Sequence, residues 1–118
     1  MMTTLTVDVS DELAARVAPM QRWLSTILEL SLLGLRTPAV ATVTEIVEFL
    51  AGNPTPQEIL RYHVSDRAQE RLQRLLALNS AGMLSEIEQL ELDEMEKIEH
   101  VFIMFKASVA QQVGYNRQ

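Results

Sequence analysis

Between Thr4 and Val9 the apolar residues Leu5, Val7 and Val9 alternate with Thr4, Thr6 and Asp8, the period of a half-buried strand rich in β-branched side chains. No second strand of comparable quality follows, so the ladder groups of this segment call for the same segment of another copy. The period then lengthens. Ser10 is placed to cap a helix whose first turn carries Asp11 and Glu12, the charge favoured at the positive helix end. Pro19 kinks this helix or ends it. A second helix is predicted from about Met20 to Leu35, with Trp23, Ile27, Leu30 and Gly34 on one stripe and Leu24, Leu28, Leu32 and Leu35 beside it. An apolar face of that breadth predicts a dimer core.

Gly34 and Pro38 mark a boundary. A short helix is predicted over Thr44 to Ala51, closed by Gly52, Asn53 and Pro54. Thr55, Pro56 and Glu58 form a capping box with proline at the first helical position, opening another short helix to about His63. Ser65 and Asp66 begin a longer helix carrying Leu72, Leu75, Leu76 and Leu78, closed by Asn79 to Gly82. Ser85 and Glu88 then form a second capping box, and the last helix runs from Glu86 to about Gln112. Two long helices joined by so few residues predict an antiparallel hairpin. The expected organisation is an N-terminal dimerisation segment over 1–37, a short-helix connector over 38–64 and a C-terminal hairpin over 65–118.

Composition adds one decisive fact. Between Glu86 and Glu99 seven acids face a single base, Lys97, while the rest of the 118-residue chain holds nine of each sign. The whole net charge of −6 therefore sits in one 14-residue stretch, and the chain has no broad basic footprint for phosphate. Such a run is either a solvated helix face or a counter-charge for a basic partner. Further along the same helix, Val101, Phe102, Ile103, Met104 and Phe105 follow without interruption. They form either a buried core turn or the anchor of a protein interface, where aromatic residues and methionine are enriched.

Other chemistry is thinly represented. Cysteine is absent, which removes disulfides, thiolate nucleophiles and thiol metal knuckles. The longest mostly apolar run, Trp23 to Leu35, is interrupted by polar residues and is shorter than the roughly 20 residues that cross a bilayer. There is no Gly-rich phosphate loop and no serine elbow. Glu96 and His100 share a helix face at a spacing of four, whereas bundle di-metal sites use three, so they read as an ordinary surface pair. A soluble cytoplasmic, non-enzymatic protein without metal or cofactor is expected.

The stretch TLTVDVS, followed by DELAARV and a helix ending in LELSLLGL, resembles the ribbon-helix-helix fold, in which two copies pair their N-terminal strands over intertwined helices. Downstream, RAQERLQRLLALNSAGMLSEIEQLELDEMEKIEHVFIMFKASVA resembles the C-terminal half of small bacterial antitoxin-like proteins, common in cyanobacteria. The fold implied is mainly α: a ribbon-helix-helix-like strand and two helices, then short helices and a long antiparallel hairpin. The resemblance implies a homodimer held by Leu5, Val7, Val9, Trp23 and Ile27, with Thr4, Thr6 and Asp8 turned toward operator DNA. None of those three is Arg or Lys, and Asp8 would repel phosphate. It also implies a basic toxin as partner, met by Glu91, Glu94 and Glu96 as counter-charge and by Phe102 and Phe105 as anchors. A dimeric adaptor or scaffold that recruits some other partner uses the same residues.

Overall fold

The computed structural model describes residues 2–116. Its elements are α1 (Asp11–Val17), a 3-10 segment (Ala18–Trp23), α2 (Leu24–Ser31), α3 (Val40–Ala51), α4 (Pro56–Arg61), α5 (Asp66–Ser80) and α6 (Glu86–Asn116).

No strand forms among the described residues, which corrects the expected N-terminal ribbon. Residues 3–10 carry no regular structure, and Leu5 and Val7 stand 83% and 74% exposed. Alternation decides which side chains would share a face; it does not supply the partner that extended backbone needs for its N–H and C=O groups. Nothing within the described residues offers that ladder, so these groups are left to water. The ribbon-based homodimer through Leu5, Val7 and Val9, and the DNA-facing set Thr4, Thr6 and Asp8, have no strand to rest on. Trp23 and Ile27, expected at the dimer centre, are buried in the core of this chain itself.

The predicted Met20 to Leu35 helix is also interrupted. Pro19, which has no N–H to donate, lies in the first turn of the 3-10 segment, and α-helical geometry resumes only at Leu24. The indole Nε1 of Trp23 donates to the carbonyl of Pro54 at 2.9 Å, fastening this segment to the α3–α4 turn. α2 ends at Ser31, and Gly34 takes a left-handed φ of 68° that releases the chain toward α3. α3 begins at Val40, four residues earlier than the sequence pattern predicts. Its Val43, Ile46 and Leu50 are buried, and that burial outweighs the weak helix propensity of its Val and Thr residues.

The predicted caps all form. Ser10 accepts from the Leu13 amide at 3.1 Å and Ser65 from that of Ala68 at 3.2 Å. Thr55 and Glu58 exchange both bonds of a capping box, as do Ser85 and Glu88. α5 closes on Gly82 at φ 70°, with the Met83 amide donating to Leu78 and the Gly82 amide to Asn79. This pairing satisfies the last carbonyls of α5 and turns the chain into α6.

α6 is the spine. At 1.5 Å per residue its 31 residues span about 46 Å, close to the longest extent of the molecule, 48 Å. α2, α3, α4 and α5 all pack on it. One core cluster joins Trp23, Ile27 and Leu30 to Val43, Ile46 and Leu50, to Ile59, and to Met95, Ile98 and Val109, drawing on all three predicted stretches of sequence. The Trp23 and Phe105 rings meet edge to face at 5.5 Å, and Phe49 stacks on Tyr62 at 4.0 Å. The radius of gyration is 16.5 Å, above the ~13.5 Å of a compact chain of this length. An N-terminal arm whose residues 2–10 are all exposed and without regular structure is in keeping with that spread.

Candidate protein-binding surface

Stepping along α6 by three and four residues gives Ile87, Glu91, Glu94, Ile98, Val101, Phe105 and Val109 on one stripe. From Glu91 onward this stripe is covered by the rest of the chain. Two of its members are carboxylates, and both are internal. Glu91, 2% exposed, accepts from Nε and Nη2 of Arg71, each at 2.8 Å. This two-pronged pair locks α5 to α6 and is the only ion pair among the described residues.

Glu94, 3% exposed, sits under the turn that joins α2 to α3. It accepts from the backbone amides of Arg36 at 2.8 Å and Thr37 at 3.0 Å, and from the Thr37 hydroxyl at 2.6 Å. Burial pushes its carboxyl upward, but those donors, with a small contribution from the Lys97 charge, outweigh burial and hold it below the usual range. Thr37 Oγ in turn accepts from the Ala39 amide, so the carboxylate organises the start of α3.

Of the expected partner-binding residues, therefore, Glu91 and Glu94 have their oxygens engaged inside the chain. Glu96 is exposed. Phe102 and Phe105 are half-buried against the core, where Phe102 meets the edge of Tyr62 at 5.8 Å.

One end of the stripe stays exposed. Ile87, 70% exposed, lies one turn before Glu91, and Met83 and Leu90 beside it are exposed as well. Leu90 keeps 41% of its surface exposed and Met83 70%. Glu86 and Asp93, both exposed, flank this apolar tip on the Leu90 side, while Arg71 and Arg74 of α5 act on the neighbouring Glu88. The result is an apolar strip with an acidic border, held rigid by the α5–α6 turn and by the Arg71–Glu91 pair. Chemically it fits a cationic surface that carries exposed apolar side chains.

Sequence reasoning named the acids of this region but missed Met83, Ile87 and Leu90. How far the body reaches along α6, and so which of its apolar residues stay exposed, depends on where α2 and α3 pack.

No family model, curated protein or solved structure matches this chain. His63, Glu96 and His100 are exposed and apart from any cluster of three or more metal-ligating side chains among the described residues. No helix among the described residues is long and apolar enough to cross a membrane.

Proposed function

We propose that the protein works by binding another protein rather than by catalysis, and that its partner is basic and presents apolar side chains to the tip of the α5–α6 hairpin. The observation that carries this reading is the exposed end of the α6 stripe at Met83, Ile87 and Leu90, flanked by Glu86 and Asp93. Apolar contact there would slow release, and the acidic border would speed encounter. Neutralisation of a basic toxin by occlusion is the form of this activity in keeping with the antitoxin-like character of the hairpin sequence; recruitment of another client is the adaptor form.

The decisive experiment compares the wild type with the double variant Ile87→Glu, Leu90→Glu, each purified from the native host. A basic protein in fixed ratio with the wild type and missing from the variant, at equal helicity and melting temperature, is the expected result. A small nuclease in that position identifies the antitoxin form, and a larger assembly the adaptor form. A partner retained by the variant overturns the proposal.

A further inference from the structure

α5 is fastened to α6 through the Arg71–Glu91 pair and to α3 through Glu45, whose carboxylate accepts from the amide and hydroxyl of Ser65, each at 2.9 Å. Between these fixings α5 stands away from α3 and leaves a half-open cavity of about 390 Å³, a volume within the range of small-molecule sites. Ile46, Ile98 and Phe102 line its inner part, with Leu72 of α5 and Val64 of the α4–α5 connection on its walls. Ile46 and Ile98, 1% and 2% exposed, belong to the core and back the cavity from beneath, while the partly exposed Phe102, Leu72 and Val64 form its accessible wall.

Lys106 lines the same cavity. Its ammonium group donates to the Tyr62 carbonyl at 2.6 Å and lies 5.2 Å from the centre of the Phe102 ring. One of its three donors is thereby used, and no carboxylate of the described residues lies within 4.0 Å of it. Removal from water pushes its pKa down, and an opposite charge beside it would offset that cost. His63 and Glu99 are the other titratable side chains of the lining besides Tyr62, whose hydroxyl is pushed up by burial and by the nearby Glu45 and Glu48. The cavity is thus an apolar recess with a half-buried, incompletely paired cation beside it.

We propose that this cavity binds a small organic carboxylate with an apolar body, the carboxylate held by Lys106 and the body lodged against Phe102, Leu72 and Val64, over Ile46 and Ile98. The site is separate from the hairpin tip and stands or falls independently of the protein-binding role.

The test titrates the full-length ¹⁵N-labelled chain with octanoate, octylamine and octanol and follows backbone amide shifts. Octanoate is expected to produce saturable shifts centred on Ile46, Ile98, Phe102 and Lys106, with an affinity at least about tenfold above that of octylamine. Lys106→Met should remove that preference while octanol still binds, and Lys106→Arg should restore it. Ile103→Trp, at an exposed residue of the rim, should weaken all three ligands by partly filling the entrance. Equal affinity for octanoate and octylamine, an unchanged octanoate affinity in Lys106→Met, shifts scattered away from the cavity, or no saturation below about 10 mM would each overturn the proposal.

Discussion

The two halves of α6 invert what their compositions would lead one to expect. The first half, from Glu86 to Glu99, carries all the net negative charge of the chain, yet it holds two of the most deeply buried carboxylates together with Leu92, Met95 and Ile98. The second half opens with five consecutive apolar residues, yet Ile103 and Met104 face solvent, Phe102 and Phe105 are only half-buried, and Val109 lies deepest. A charge is admitted to the interior where donors are already aimed at it, and an apolar side chain stays outside when its helix has no neighbour on that side. Burial along α6 follows the angular position of each residue more closely than its chemical type.

The largest effect on this contrast is expected from Glu94→Leu. The substitution strands two backbone amides and the Thr37 hydroxyl beneath the α2–α3 turn, and urea unfolding should show a loss of about 3–5 kcal/mol. A loss within about 0.5 kcal/mol would mean that the turn does not depend on this carboxylate. In the other half, Phe102→Ala removes a ring that is only partly covered, so the expected loss is about 2 kcal/mol, below the ~3–5 kcal/mol of a fully buried phenylalanine. Stability read by the same measurement would reach the higher figure only if that half were as enclosed as the first.

Acidification sharpens the comparison further. The Glu94 carboxyl is held below its unfolded value, so its contribution is fully present above the unfolded pKa near 4.5 and is lost as pH falls through the folded pKa. The melting temperature of the wild type should drop below about pH 4.5, and the drop should be shallower in Glu94→Gln. Equal slopes in the two proteins would remove Glu94 as the acid-sensitive group. The smallest effect belongs to the arm: Val7→Pro, in a segment whose backbone pairs with nothing in the described chain, should leave melting within about 0.5 kcal/mol of the wild type and the light-scattering mass unchanged. A large change in either would show that the arm is engaged after all.

The pattern of residues was most informative where structure depends on near neighbours. Ser10, Thr55, Ser65 and Ser85 announce helix starts because each bonds an amide three residues ahead, and Gly82 announces a stop because a left-handed residue closes α5. Pro19 announced a break whose form, a 3-10 segment, was less legible. The candidate site was half-legible: its acidic character could be read, but the assignment of Glu91 and Glu94 to a partner could not survive the arrival of Arg71, Arg36 and Thr37 from 20 to 58 positions away.

The sequence by itself determined the mainly helical character, the capped helix starts, the α5–α6 hairpin and the concentration of charge, because each of these follows from interactions within one or two turns of chain. Tertiary structure alone decided that Thr4 to Val9 finds no strand to pair with, that Trp23 and Ile27 fill this chain's own core, which acids of α6 turn inward, and where the stripe of α6 stays exposed. Those outcomes depend on what lies opposite a residue in space. A side chain's type sets the cost of burial or exposure, and only the packing of distant segments determines which of the two it meets.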